Sequence, residues 1–377
     1  MSKRIADVLK KNEWLNPNVI LICLLVKTML LVYGYHSYEV FVDKPFDDFN
    51  SYLKIWTRWD AESYLNIAEF GYVDEGPKRF LLVFFPLYPL LTSLTARFVQ
   101  NYILSAFIIS GVASVALAIS FRSLVKLDFS QKTAQKAVLF LFIFPTSYFL
   151  HIPYTESLFL ALTIGCFWAA RTNKWVLAGI LGMLACQSRI NGIILLPALL
   201  FEIWEQYKES RITNWRWSSI CMIPLGFISY LILNYAVSGK PLMFLEYQRE
   251  NWGKYLQLPF EGLWGKFRTI IDQSPANSNM VGFQELLFVA IGFLSIVFAW
   301  KYLRRSYLVW LIANWILFVS TSFILSVPRY TLTMFPIFIL MSIASQRDWK
   351  IDVLFTTWSI LYLALFTSLF VKGHWAF

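Results

Sequence analysis

The sequence predicts an all-α, polytopic membrane protein of about eleven transmembrane helices, built as a single unit over residues 1–377. Composition is the first reason. Apolar and aromatic residues make up 58% of the chain, aromatic residues alone 18% and charged residues only 15%, with a mean hydropathy of +0.55, far from the averages of soluble domains. The second reason is the recurrence of apolar runs long enough to cross a bilayer. The third is charge placement: lysines and arginines gather in alternate connections, so the formal charge of +10 reads as a signal of membrane orientation rather than of nucleic-acid binding.

Met1 to Asn16 is basic and polar, and the apolar run after it is long enough to span and stay, so no cleavable leader is expected. Spans are expected near 18–35, 102–121, 135–151 and 155–171, then a broken pair within 175–204, then 217–237, 284–303, 306–326, 330–346 and 352–371. Leu81 to Val99 is apolar but interrupted by Pro86 and Pro89, and charge decides its place. If it crossed, Arg122, Lys126, Lys132 and Lys136 would lie opposite Lys3, Arg4, Lys10 and Lys11. Laid along the outer face, it leaves both clusters cytoplasmic, together with Arg171, Lys174, Lys208, Arg211, Arg216, Lys301, Arg304, Arg305, Arg347 and Lys350. The outer side then holds two large loops, 37–101 and 238–283, the short turns 151–155, 187–190 and 327–330, and residues 372–377.

In the second outer loop, Trp252, Tyr255 and Trp264 alternate with Lys254, Lys266 and Arg268, a pattern of interfacial amphipathic helices. Cys23, Cys166, Cys186 and Cys221 lie in apolar segments without CxxC spacing, so they read as small core residues rather than as a disulfide framework or zinc site.

The candidate chemistry gathers on the outer side. Arg58-Trp59-Asp60 opens a helical pattern over 61–69 in which Tyr64, Ile67 and Ala68 share a face, and Gly71 stands where a left-handed residue could end it. Asp60 has two readings: an N-cap accepting the first amides of that helix, or a carboxylate placed to take a proton from a substrate hydroxyl. Arg189 splits an apolar stretch; it either snorkels to the interface or meets an anion at a helix break lining a cavity, and guanidinium geometry suits a phosphate. His151, Tyr154 and Glu156 share an outer turn, where Thr155 or Ser157 could cap the next helix and Glu156 could favour its positive end. Arg329 and Tyr330 stand at another outer helix end, as a second cation site or an interface anchor. Lys27, mid-span in the first helix, should face the bundle interior. Asp47-Asp48 reads as a solvated pair rather than a divalent-ion site.

Taken together these segments resemble the membrane mannosyltransferases related to the second GPI-anchor mannosyltransferase (PIG-V-like), within the GT-C superfamily. The carriers are Arg58-Trp59-Asp60 with Tyr64, Ile67-Ala68 and Gly71-Tyr72; Phe84-Phe85-Pro86-Leu87-Tyr88-Pro89; Phe144-Pro145; Tyr154-Thr155-Glu156-Ser157-Leu158-Phe159; Ala178-Gly179 through Arg189 and Gly192; and Pro328-Arg329-Tyr330. The resemblance implies a GT-C bundle whose large first outer loop carries the catalytic carboxylate, here Asp60. It implies transfer of a sugar, mannose above all, from a polyprenyl-phosphate donor to a glycan, lipid-linked or protein acceptor hydroxyl, with inversion and no required metal or other cofactor. Arg58, Trp59, Tyr64, His151, Tyr154, Glu156, Arg189, Asn191, Arg329 and Tyr330 become the expected substrate-binding set, with Arg189 and Arg329 on the departing phosphate. Its compact length of 377 residues and lack of an Asn-x-Ser/Thr acceptor site suggest a bacterial member in the cytoplasmic membrane with its active site outward. A transporter of lipid-linked glycans, or a non-catalytic accessory subunit, would share the helical pattern; the former would be expected to show paired repeats, and none is visible.

Overall fold

The computed structural model describes residues 16–377, so the basic cluster Lys3, Arg4, Lys10 and Lys11 lies outside the described residues. The chain starts with α1 (Pro17–Val42), whose N-cap Asn16 accepts from the Asn18 amide and whose first position is a proline, both favourable helix starts. The first loop carries α2 (Phe49–Lys54), α3 (Asp60–Phe70) and, after a short 3₁₀ turn over Pro77–Val83, α4 (Leu87–Val99). Then come α5 (Tyr102–Val125), α6 (Gln131–Ile143), α7 (Glu156–Arg171), α8 (Trp175–Ser188), α9 (Leu195–Ser210) and α10 (Ile223–Ser238). The second loop holds α11 (Met243–Trp252) and α12 (Pro259–Asp272). The chain closes with α13 (Gln284–Tyr302), α14 (Arg305–Val319), the short α15 (Val327–Thr331), α16 (Pro336–Arg347) and α17 (Trp349–Lys372).

Five helical stretches are long and apolar enough to cross a bilayer among the described residues: Pro17–Val42, Tyr102–Val125, Trp215–Ser238, Pro275–Tyr302 and Trp349–Lys372. The other expected spans are shorter or interrupted. Residues 135–151 become α6 and a 3₁₀ turn, 175–204 become α8, a 3₁₀ turn and α9, and 330–346 divide between α15 and α16. The proline-broken segment bends by 111° between Pro77–Val83 and Leu87–Val99, where Phe84 is extended and Pro86, without a backbone N–H, stands at the start of the second helix. Helices α17, α1, α5, α7, α8 and α10 pack successively on one another, while α6 lies on α16 and α9 on α14.

The two ends of the bundle differ chemically. Helix α7 has 16 residues, a rise of about 24 Å, and runs from Glu156 at one end to Arg171 at the other. At the Arg171 end, Arg171 meets Asp128 at 2.7 Å and Glu202 at 3.4 Å, and Arg304 meets Glu202 at 3.1 Å. This end unites cations from two of the connections that the charge pattern assigned to one side, and Arg347, from a third, bonds the Tyr302 hydroxyl. Cys23, Cys166 and Cys186 are buried as expected, but Cys221 is exposed, because the 3₁₀ turn over Trp215–Met222 turns it outward. Lys27 reaches toward α5, where a Cβ on Gly111 would lie 2.7 Å from its Nζ.

Candidate active site

Helix α3 begins at Asp60. The residue before it, Trp59, has φ 48° and ψ −115° and makes no side-chain cap, a strained conformation of the kind that persists where surrounding structure holds it. The Trp59 ring is wedged against Phe370 and Trp375, with centroids 5.1 and 5.7 Å away. The Arg58 carbonyl accepts from the Tyr154 hydroxyl at 2.8 Å, tying this turn to the start of α7. On its other side α3 leans on the Phe84–Pro89 segment: Tyr64 meets Phe84 and Tyr88 edge-on, and Tyr88 bonds the Ala106 carbonyl of α5 at 3.0 Å. Gly71 ends α3 at φ 76°, in the region that favours glycine, though its ψ of −169° makes the exit extended.

The Asp60 carboxylate does not cap its own helix. Its Oδ2 lies 2.8 Å from Arg329 Nη2, and the Arg329 Nε lies 3.0 Å from Glu156 Oε1. Glu156 also pairs with Arg189 Nη1, and that nitrogen donates to Thr155 Oγ1 at 3.2 Å. An alternating chain results, Asp60–Arg329–Glu156–Arg189, drawn from α3, α15, α7 and the break between α8 and α9. Exposure grades along it: the Glu156 side chain is 0% exposed, Arg329 8%, Arg189 12% and Asp60 30%. Glu156 is thus sealed from substrate, whereas Asp60 is reachable.

Local sequence explains how these groups arrive. At the Arg189 break, Gly192 folds back on α8 so closely that a Cβ there would lie 2.6 Å from the Ala185 carbonyl carbon, so the tight turn that aims Arg189 inward needs glycine. Helix α15 is held at its start: Thr146 Oγ1 donates to the Pro328 carbonyl at 2.9 Å, and the buried Glu285 accepts from the Ser326 and Val327 amides, each at 2.7 Å. Ser326 itself has φ 68°, and the Glu285 carboxylate satisfies two amides that would otherwise be orphaned at the helix start. Burial holds the Lys266 ammonium below its ordinary value, with the Glu285 charge acting in the opposite direction.

Asp60 faces a cavity of about 470 Å³ whose wall includes Trp59, Ser63, Tyr64, Phe84, Tyr154, Trp252, Lys254, Phe323, Arg329, Tyr330, Trp375 and Phe377. Burial first, and then the Asp60 charge, push the phenols of Tyr64 and Tyr154 up, so both remain protonated donors. The Arg329 guanidinium stands 5.2 Å from the rings of Phe149 and Tyr154 and 5.5 Å from Tyr330, a cation–π surround suited to a buried arginine.

Several expected site residues stand elsewhere. His151 is enclosed against Phe142, 5.4 Å away, and faces packing rather than the cavity. Asn191 is buried and donates to Asn314 at 2.8 Å. The Arg58 side chain donates to the Val371 carbonyl at 3.2 Å, at the end of α17. Arg189 is neither an interface anchor nor a wall residue; its guanidinium is turned to Glu156 and Thr155. The Thr155 hydroxyl accordingly accepts from Arg189 instead of capping α7, while Glu156 does occupy that helix's first turn. Asp48 is an N-cap, accepting from the Ser51 amide at 2.7 Å in a capping box. The pattern 252–268 is mixed: Trp264 is exposed on α12, but Trp252 and Lys254 line the cavity and Lys266 is buried. Lys254, Ser63, Trp252 and Phe323 were absent from the expected set; the density of aromatic and basic residues in 252–268 was the signal for Trp252 and Lys254, and no local signal marked Ser63 or Phe323.

Comparison with known proteins agrees with this architecture. The chain shares its fold with the Archaeoglobus fulgidus oligosaccharyltransferase crystallised with a tethered acceptor peptide containing the NVT sequon. The TM-score is 0.50 at 12% identity, over 97% of this chain and 56% of that one. The GPI alpha-1,6-mannosyltransferase 2 of Mus musculus is 30% identical, and that of Rattus norvegicus 28%, each over 155 residues. Those residues are 38% of this chain and 31% of either relative, so the similarity spans about a third of the rodent proteins. The profile of the mannosyltransferase (PIG-V) family matches residues 34–248. That match takes in more than half of this integral membrane chain, including Asp60, Tyr154, Glu156 and Arg189, and the chain therefore belongs to the mannosyltransferase (PIG-V) family.

Proposed function

We propose that the protein transfers a sugar, mannose in the first place, from a polyprenyl-phosphate carrier to an acceptor hydroxyl, with inversion, at the outer face of a bacterial cytoplasmic membrane. The observation that carries this reading is the reachable Asp60 carboxylate on the wall of the 470 Å³ cavity, fixed from behind by Arg329 at 2.8 Å. Arg329 engages Oδ2, and among the described residues no hydrogen bond is made to Oδ1, which is left for the acceptor hydroxyl.

In the reaction the hydroxyl oxygen attacks the anomeric carbon while the bond from that carbon to the phosphate oxygen breaks, through an oxocarbenium-like transition state. The hydroxyl proton passes to Asp60, and the bonding electrons leave on the lipid monophosphate. Tyr64, as a protonated donor on the same wall, is placed to bind a sugar oxygen, whereas the Tyr154 hydroxyl is spent on the Arg58 carbonyl, and Trp59 and Trp375 offer apolar surface to a pyranose ring. Arg189 acts at one remove: it holds Glu156, which holds Arg329, which holds Asp60. The acceptor is a glycan, a lipid-linked glycan or a protein.

Purified protein incubated with a panel of polyprenyl-phosphate sugars, read by mass spectrometry for free carrier and glycosylated acceptor, tests the reading. Release of carrier in a sugar-dependent manner supports it. Binding without turnover for every donor and acceptor in the panel would favour a transporter or accessory subunit.

A further inference from the structure

Lys254 lines the same cavity, yet among the described residues no carboxylate lies within ion-pair distance of it. Its Nζ stands 5.3 Å from the Tyr330 ring and 6.0 Å from Phe323. It is not a loosely placed loop lysine. The residues around it form a strap tied to the end of α14: the Gln257 amide donates to the Ser320 carbonyl at 3.0 Å, and the Ser322 amide donates to Tyr255 at 2.8 Å. The Ser322 hydroxyl also accepts from the Tyr255 amide at 3.2 Å and donates to the Gly253 carbonyl at 3.0 Å. The backbone is therefore pinned on both sides of the lysine.

Three cations meet around Tyr330: Arg189 at 5.6 Å, Arg329 at 5.5 Å and Lys254 at 5.3 Å. The two arginines are matched by Glu156 and Asp60, and the buried Glu285 is shared between Lys266 first and Lys254 second, which leaves one positive charge in excess at Lys254. In a partly water-excluded cavity such a charge attracts an anion far more strongly than it would in bulk solvent. We infer that Lys254 is the anion-binding group of the cavity and that its ligand is the polyprenyl phosphate of the donor, a phosphodiester with one negative charge until it departs as the monophosphate. This rests on the glycosyltransferase reading above and assigns the phosphate to a residue beyond the family match, which ends at 248. The charge balance also makes Lys254 a specificity determinant: one phosphodiester neutralises the site, while a diphosphate brings surplus negative charge close to Asp60.

The test measures binding of farnesyl phosphate and of farnesol to detergent-purified wild type, Lys254→Met and Lys254→Arg, with Lys240→Met, on an exposed lysine paired to Glu246, as control. Wild type and the control should prefer the phosphate over the alcohol, and Lys254→Met should lose roughly 10- to 100-fold of phosphate affinity, the scale of a hydrogen bond to a charged group. Farnesol binding should not change, and Lys254→Arg should keep most of the preference. Comparing phosphate with alcohol within each variant separates loss of the site from loss of the fold. Phosphatidylglycerol added at equal concentration should not displace farnesyl phosphate; displacement would make this a site for bulk phospholipid and overturn the assignment. An undiminished phosphate preference in Lys254→Met would also overturn it while leaving the glycosyltransferase reading standing. A wild type with no preference for the phosphate would remove both.

Discussion

Asp60 Oδ2 and Arg329 Nη2 stand 2.8 Å apart, although α3 and α15 come from opposite ends of the chain. The contact converts a candidate helix cap into a held, partly exposed carboxylate. It also makes the site dependent on everything that fixes α15.

Removing Arg329 should therefore do two kinds of damage. Arg329→Met leaves Glu156 and Asp60 short of a counter-charge in a buried setting, where breaking an ion pair costs about 3–5 kcal/mol. A melting curve should show that loss, and any folded fraction should have lost turnover. Wild-type stability with Met at this position would show that the pair contributes little.

Arg189 and Glu156 should behave as a coupled pair rather than as independent substrate contacts. Arg189→Met and Glu156→Gln should each destabilise the protein, and the double variant should lose less than the two losses combined, with a coupling of about 0.5–3 kcal/mol. Additive losses would separate the two residues and restore a direct ligand role to Arg189.

Glu285 does not itself line the cavity, yet it sets the start of α15. In Glu285→Gln one carboxylate oxygen becomes an amide donor that faces a backbone N–H, so one of the two amides at 2.7 Å loses its acceptor. The expected cost is about 1–3 kcal/mol, read as a lower melting temperature, with turnover falling because Arg329 and Tyr330 shift. Unchanged turnover in this variant would show that the α15 cap does not govern the site.

The orientation of the bundle is open to labelling. In a Cys221→Ser background, which removes the exposed thiol, Glu75→Cys should react with an impermeant reagent added to intact cells and Lys126→Cys should not. Labelling at Lys126 and protection at position 75 would invert the topology and the proposed outward-facing site.

Much of this was legible in the sequence, and the limits have physical causes. The helix after Asp60, the break at Arg189 and the proline bend near Phe84 follow from local signals, namely periodicity, glycine and proline. The turns that carry the candidate groups could be located because charge and hydropathy alternate along the chain. What could not be read is which way a polar side chain in such a turn faces. His151, Asn191 and the Arg58 side chain lie in the expected turns but point into packing or toward backbone carbonyls. The Arg189–Glu156 pair and the approach of Lys254 to Tyr330 depend on helices and a strap distant in sequence coming together, which no local pattern records.

The most direct test of the account is turnover by Asp60→Asn. Asparagine keeps the size of aspartate and one acceptor oxygen for Arg329, but it carries no charge and cannot accept the hydroxyl proton. Turnover should fall by roughly 10²- to 10⁴-fold, while a melting curve and binding of polyprenyl-phosphate sugar on the same purified sample show a folded, donor-competent protein. Near-normal turnover in that sample would contradict the account and take Asp60 out of the mechanism.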